Sequence, residues 1–196
     1  MGYRRYSGVN INPIWIIVAV NVLVFIASLI DQNAIFLRFG LIPANFTSSP
    51  WTAVTYMFVH ANWSHIFFNM LTLYFFGSFA LSLVGETSFL MTYFVGGIVG
   101  GLFYYAIATL LGNSMSLLVG ASGAIYALGG LLLVMRPNAR VITFPIPVPM
   151  PLWIAILVGF LLVAFLPGVA WEAHLGGILY GAAVGLYFRR RELRRY

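Results

Sequence analysis

Long apolar runs that carry almost no charge are the feature that most constrains this chain. An α-helix needs about 20 apolar residues to cross a bilayer, within a range of about 17 to 25. Only 7% of the 196 residues are charged, against about 25% in soluble domains. We therefore predict an all-α membrane protein, a bundle of six transmembrane helices. The predicted spans are Ile14–Ile30, His65–Val84, Ser88–Leu111, Leu117–Met135, Leu152–Leu166 and Val169–Phe188.

The remaining segments are too short for a second, soluble domain. We therefore expect residues 1–196 to form a single transmembrane domain. The first run follows two arginines, as in a signal peptide, but no small-residue cleavage site follows it and further spans do, so we interpret it as a retained helix. The chain has no cysteine, which excludes disulfides and thiol chemistry.

The basic residues predict an orientation. An even number of spans puts both termini on one side, and the positive-inside rule makes that side cytoplasmic. Only Arg38 then falls outside. Because the arginines cluster at membrane edges, we interpret the net charge of +6 as a topology signal and predict no nucleic-acid partner. The ten basic residues are Arg4, Arg5, Arg38, Arg136, Arg140, Arg189, Arg190, Arg191, Arg194 and Arg195.

Two connections have a distinctive composition. The segment Asp31–Ser64 is rich in aromatic residues, and we expect it to lie partly embedded in the membrane interface. Four prolines at alternate positions from Pro145 to Pro151 favour an extended connector. The short fifth helix that follows is our candidate gate for substrates, with an ordinary lipid-facing helix as the alternative.

Ionisable residues within spans are costly and are therefore functional candidates. In the predicted orientation the second, fourth and sixth helices all run inward. His65, Ser122 and His174 then lie near the outer ends of three different helices, at one level of the membrane. This convergence predicts a site in the outer half of the bilayer.

Ser122 lies in the sequence Gly-Ala-Ser-Gly. Gly120 and Gly123 allow close approach of another backbone, and a helix beginning here would offer free N–H groups to an oxyanion. The alternative is helix packing through small residues. Tyr126, one turn later on the same face, would brace an imidazole by stacking.

His174 begins an ordered helix face. Gly177, Gly181 and Gly185 follow it on the same side. These glycines would let the sixth helix press against the glycines of the fourth, which brings His174 towards Ser122. Taken alone, His174 would be interpreted as a cap at a helix end.

His65 and Asn69 share another helix face. Both can donate hydrogen bonds, as an oxyanion hole requires, or they hold helices together by polar contacts. His60 either supports His65 by a hydrogen bond or faces water. Glu172 would point away from His174, so no acid completes a triad, and a Ser–His dyad with no metal and no cofactor is predicted.

Together these residues resemble the rhomboid family of intramembrane serine proteases. The family pattern combines a histidine pair followed by an asparagine, a serine motif with a tyrosine four residues later, and a sixth-helix histidine before small residues. Glu86 also falls where family members often keep an acid. The matching positions are His60, His65, Asn69, Gly120, Ser122, Gly123, Tyr126, His174, Gly177 and Gly181.

The resemblance implies a minimal six-helix core of the prokaryotic type, in a cell membrane. It implies cleavage of single-pass or other membrane-anchored proteins near the outer leaflet, with lipids as surroundings. One position departs from the pattern, because Thr52 follows Trp51 where the family often has arginine.

Other functions remain as alternatives. A catalytically inactive relative would bind membrane clients without cutting them, although such relatives usually lose the serine or the histidine. A metalloprotease would need metal-ligand spacing that the three histidines lack, since there is no HExxH motif. A transporter would need a polar path at the midplane.

Overall fold

The structure is a computed structural model that describes residues 12–143, 146–164, 166 and 168–194. These residues form eight α-helices, two short 3₁₀ turns and one two-stranded hairpin. The helices are α1 Pro13–Ser28, α2 Gln32–Phe39, α3 Thr52–Thr55, α4 Trp63–Val84, α5 Glu86–Leu110, α6 Ser122–Met135, α7 Leu152–Ala164 and α8 Trp171–Leu193. Arg4, Arg5 and Arg195, on which part of the predicted orientation depends, lie outside the described residues.

The helices have the apolar exteriors of a membrane protein. Within the described residues, α4 and α5 are long and apolar enough to cross a bilayer, while α1 and α6 are apolar but shorter. Large apolar side chains face outward, as at Leu23, which is 66% exposed. An apolar exterior on hydrogen-bonded helices is what a lipid environment demands.

Six of the helices coincide with the six predicted spans, but several boundaries were wrong. The fourth predicted span corresponds to α6, which begins at Ser122 rather than Leu117. Leu118 is extended instead and pairs with Leu41 through two backbone hydrogen bonds of 2.9 and 3.0 Å. The sixth predicted span corresponds to α8, which begins at Trp171 and continues to Leu193, past the predicted end at Phe188.

The bundle is held most tightly where α5, α6 and α8 meet. The centre of α6 is almost wholly buried, including Leu128, Leu131 and Leu132. Glycines of α5 give α6 and α8 room to approach, since a Cβ at Gly100 would lie 2.6 Å from the carbonyl oxygen of Ala173. Inside a bilayer the hydrophobic effect does not drive helices together, and close packing through small residues holds them instead.

The connection between α1 and α4 packs into the bundle more deeply than the predicted interfacial position. Tyr56 and Met57 are fully buried in the core. At its surface the Trp51 indole N–H donates to the carbonyl of Arg38 at 2.9 Å. Thr52 donates to the carbonyl of Ser49 at 2.7 Å, so the residue that departs from the family pattern forms a local turn contact.

The proline-rich connector is extended, as predicted, but it is also paired. Strand β1, Arg140–Thr143, runs antiparallel to β2, Ile146–Pro151, with Arg140 opposite Pro151. The hairpin leads directly into α7. Residues 144 and 145 between the strands, and residue 165 within the predicted fifth span, lie outside the described residues.

Candidate active site

The chain enters α6 through a turn at Gly120 that presents Ser122. Gly120 has φ +119°, a conformation that favours glycine, and its N–H donates to the carbonyl of Tyr56 at 2.9 Å. Ser122 is the first residue of the helix, and the preceding residue provides no side-chain cap. The first backbone N–H groups of α6 therefore remain available beside the hydroxyl, as the Gly-Ala-Ser-Gly sequence predicted.

His174 lies within hydrogen-bonding distance of Ser122. Its Nε2 is 2.7 Å from the serine Oγ, and only 6% of the histidine is exposed. The hydroxyl can donate to Nε2 when the ring is neutral and its proton is on Nδ1. Two residues 52 positions apart in the chain are thus brought together, as the matching depth of the two helices predicted.

The glycine face of α8 explains how this approach is achieved. A Cβ at Gly177 would collide with the carbonyl oxygen of Gly123, and one at Gly181 with the carbonyl oxygen of Ala127. Only glycine lets the two helix backbones touch at these positions. These contacts lie where the spacing of the glycines predicted helix packing. Gly129 of α6 faces Phe76 of α4 and Ile156 of α7 instead.

Tyr126 stacks on the imidazole, as its spacing from Ser122 predicted. The rings of Tyr126 and His174 have centroids 4.4 Å apart and an interplanar angle of 29°. On its other side Tyr126 meets Phe160 of α7 edge-on, with centroids 6.1 Å apart. The stack fixes the plane of the imidazole and leaves Nε2 directed at the serine.

His65 and Asn69 reach the same point from α4. The N–H of Ala61 donates to His65 Nδ1 at 3.3 Å, so in the neutral ring the proton is on Nε2. That Nε2 is directed at the serine turn, because a Cβ on Gly120 would lie 2.6 Å from it and 3.8 Å from the Asn69 amide nitrogen. Two side-chain donors therefore lie beside Gly120 in the serine turn, and the Asn69 amide, which donates one hydrogen to the His65 carbonyl at 2.9 Å, has a second hydrogen to offer.

His60 occupies a different position from either one we predicted. It is fully buried, so it does not face water. It packs edge-on against His65 with ring centroids 5.0 Å apart, and neither of its ring nitrogens makes a hydrogen bond among the described residues. Burial, reinforced by His65, lowers the pKa of His60 to about 3, so this ring is neutral and supports His65 by packing.

No acid joins the pair. His174 Nδ1 is buried without a hydrogen-bond partner among the described residues. Glu172 instead lines a cavity of about 260 Å³ beside Tyr104 and Ser116. Within the described part of the chain, no group of three potential metal ligands comes together.

Tyr56 is a site residue that sequence reasoning missed. Its hydroxyl donates to the carbonyl of Gly97 at 2.7 Å, while its own carbonyl holds Gly120. Burial raises the pKa of the Tyr56 hydroxyl, so it remains a neutral donor. The sequence offered no spacing signal, because Tyr56 reaches the serine turn from a long connection rather than from a span.

Fold and geometry define a helical membrane protein with a buried Ser–His pair. The rhomboid domain family matches residues 47–191, which is most of the chain, and this protein belongs to the rhomboid family. Family membership establishes an integral membrane location.

Individual relatives agree with this assignment. The chain is 29% identical to a mitochondrial rhomboid protein, number 1, of Saccharomyces cerevisiae, over 91% of this chain and 54% of the relative. It is 31% identical to a mitochondrial rhomboid-like protein, number 12, of Arabidopsis thaliana, over 73% and 48%. It is 26% identical to a candidate rhomboid protease, YdcA, of Bacillus subtilis, over 74% and 71%.

The chain spans about half the length of the two mitochondrial relatives. Because relatives occur in mitochondria as well as in a bacterium, the comparisons support a membrane location but do not support the narrower expectation of a prokaryotic cell membrane.

Proposed function

We propose that this chain is an intramembrane serine endopeptidase that cleaves membrane-anchored proteins, with Ser122 as nucleophile and His174 as general base. The observation that carries the proposal is the 2.7 Å contact between Ser122 Oγ and His174 Nε2 inside an apolar bundle. A nucleophile within hydrogen-bonding reach of a base is the minimal unit of acyl transfer.

In the proposed reaction His174 Nε2 takes the hydroxyl proton as Ser122 Oγ attacks the scissile carbonyl carbon. The resulting oxyanion accepts hydrogen bonds from His65 Nε2–H, from the Asn69 amide and from the free N–H groups at the start of α6. His174 then donates its proton to the leaving amine nitrogen, and the carbon–nitrogen bond breaks. Water, deprotonated by the same histidine, hydrolyses the acyl-enzyme and regenerates both residues.

The imidazole of His174 must be held in a fixed orientation, and in the predicted dyad no acid does this. Tyr126 supplies this orientation by stacking at 4.4 Å, and the contact of Gly177 with the Gly123 backbone fixes the height of α8 relative to α6. A dyad oriented by packing is therefore sufficient for base catalysis in this proposal.

We further propose six transmembrane spans in a single domain covering residues 1–196, with both termini cytoplasmic and Ser122 near the outer leaflet. The opposite end of the bundle supports this orientation. There Arg136 forms an ion pair with Glu192 through two hydrogen bonds of 3.0 and 3.1 Å. The last turns of α8 also carry Arg189, Arg190 and Arg191. Such a basic end is typical of the cytoplasmic side.

The proposal is tested with the protein reconstituted in liposomes together with a single-pass substrate that carries helix-breaking residues near its outer end. We expect cleavage, with Ser122→Ala and His174→Ala each reducing its rate by at least about 10³-fold. Substrate binding, measured by co-purification, should persist in both variants. Cleavage by Ser122→Ala at the normal rate would refute the dyad, and binding without cleavage by the unmodified protein would favour an inactive client-binding relative.

A further inference from the structure

We propose that the two strands of the hairpin, Arg140–Thr143 and Ile146–Pro151, are seated in the lipid leaflet at the Arg136 end of the bundle, at the boundary between acyl chains and headgroups. There they complete the membrane crossing that α7 alone is too short to make. This inference concerns the membrane contact of the chain and goes beyond the proposed protease reaction.

The first argument is the length of α7. Its 13 residues span about 20 Å at 1.5 Å per residue, whereas the hydrocarbon core is about 30 Å thick. In the six-span topology proposed above, on which this inference rests, a further stretch of chain therefore lies within the membrane at one or both ends of α7. At the beginning of α7 that stretch is the hairpin.

The second argument is depth. Ile156 contacts the position of Gly129, and Phe160 meets Tyr126, so α7 and α6 run antiparallel with these residues at matching levels. One turn further towards the Arg136 end, Leu152 lies level with about Leu133. The helix α7 thus begins before α6 has reached its last residue.

Backbone hydrogen bonds hold the base of the hairpin at that level. Leu152 N–H donates to the carbonyl of Ala139 at 2.8 Å, and Trp153 N–H donates to that of Pro137 at 3.2 Å. The base of the hairpin therefore lies at the level of the membrane surface, beside the first residues of α7, and not in the water outside it. Trp153, 43% exposed, has the position of an interfacial anchor.

The third argument is the chemistry of the exposed faces. Ile142 is 67% exposed and Val148 is 59% exposed. No charged residue occurs between Arg140 and Glu172. In water this hairpin would present apolar side chains without charge to keep them soluble, whereas in a leaflet the same side chains are buried and Arg140 can extend to a phosphate.

The fourth argument is the small number of backbone donors in β2. The register with β1 is irregular between Val141 and Thr143, but three of the six residues of β2 are proline, and proline carries no N–H. A strand with few donors leaves few unsatisfied N–H groups, which lipid does not tolerate.

The carbonyls of β2 that do not pair with β1 still need partners. This need sets the hairpin at the boundary, where water reaches it, and not in the middle of the hydrocarbon. Prolines on an edge strand also prevent pairing with other chains in water, so they are compatible with water as well as with lipid. The surroundings of the exposed apolar side chains decide between water and the lipid leaflet.

Because the chain has no cysteine, single cysteines can report that environment. Ile142→Cys and Val148→Cys are labelled with an environment-sensitive fluorophore in liposomes, with Leu161→Cys on α7 as the lipid-facing reference and the fluorophore coupled to free cysteine in the buffer as the aqueous one. We expect labels at 142 and 148 to be quenched by brominated acyl chains, as at 161, and to be protected from aqueous iodide. Iodide quenching at 148 equal to that of the free conjugate would overturn the proposal, and so would protection from both quenchers, which would indicate a second copy or another protein.

The quenching measurements do not read peptide cleavage, so failure here is distinguishable from failure of the proposed protease function.

Discussion

The two sides of α6 are packed in opposite ways. On the α8 side, helix backbones touch, and a Cβ at Gly181 would collide with the carbonyl of Ala127. On the other side α7 is more loosely packed: Ile156 and Phe160 reach α6 through their side chains, and a Cβ at Gly159 would meet nothing within 4 Å among the described residues. The catalytic pair is shared by the tightly packed helices, whereas the loosely packed helix carries only Phe160 against the Tyr126 brace.

This difference separates two requirements of a protease in a membrane. A nucleophile and its base must be held at a fixed distance, which rigid supporting elements provide. A membrane-anchored substrate must reach them sideways from lipid, which requires an element that can move. The α6–α8 pair meets the first requirement, and we propose that α7 meets the second.

The largest effect beyond loss of the dyad itself is expected at the oxyanion donors on α4. Loss of one such donor costs on the order of 10²–10³ in rate in other enzymes. Asn69→Ala and His65→Ala should therefore slow cleavage strongly while covalent labelling of Ser122 survives. Unchanged rates in the double variant would reduce both residues to contacts between helices.

The packing contrast itself is tested by matched alanine substitutions. Gly181→Ala should destabilise the bundle by about 1–3 kcal/mol, as overpacking does, and lower activity because α8 is pushed away from α6. Gly159→Ala should be neutral or stabilising, since alanine favours a helix by up to about 1 kcal/mol and has free space here. Thermal unfolding of the two variants in detergent measures this difference in stability. Equal unfolding temperatures would contradict the difference in packing between the two sides of α6.

The mobility of α7 is tested by tying it to α4. The side chains of Phe76 and Ile156 both lie against Gly129, at 3.5 and 3.7 Å from a Cβ placed there. Cysteines at these two positions, joined by a short bismaleimide, should reduce cleavage of a transmembrane substrate several-fold while a small probe still labels Ser122. The two single-cysteine variants, treated identically, are the controls. Full cleavage after crosslinking would place the gate elsewhere.

The smallest effect concerns His60, on the connection that supports α4. Its pKa is lowered to about 3 in the folded protein, whereas an unfolded histidine titrates near 6.5. Below about pH 6.5 the unfolded chain takes up a proton that the folded chain refuses, so stability falls as pH falls from 7 towards 4. In His60→Gln the fall in unfolding temperature over this range should be smaller. If the unfolding temperature changed with pH in the same way in His60→Gln and in the unmodified protein, the lowered pKa assigned to His60 would be contradicted.

Much of this arrangement could be predicted from the sequence because it depends on periodicity. His174 and its glycines recur at helical spacing, and Ser122 precedes Tyr126 by one turn, so their faces and neighbours follow from helix geometry. The beginning of α6 could not be predicted, because Leu118 is as apolar as a helix residue and only pairing with Leu41 makes it extended.

Two further features lay beyond periodicity. The buried position of His60 and the carbonyl contact of Tyr56 with Gly120 depend on how a long connection folds back into the bundle. The hairpin was predicted only as an extended connector, since alternate prolines indicate backbone conformation but not a partner strand.

The most direct test of the central claim is covalent labelling by a fluorophosphonate, with the modified residue located by mass spectrometry. We predict one adduct, on Ser122, that is absent in Ser122→Ala and greatly reduced in His174→Ala, because the hydroxyl is activated only through its 2.7 Å contact with His174 Nε2. No adduct on Ser122, or an adduct formed equally fast in His174→Ala, would contradict the account.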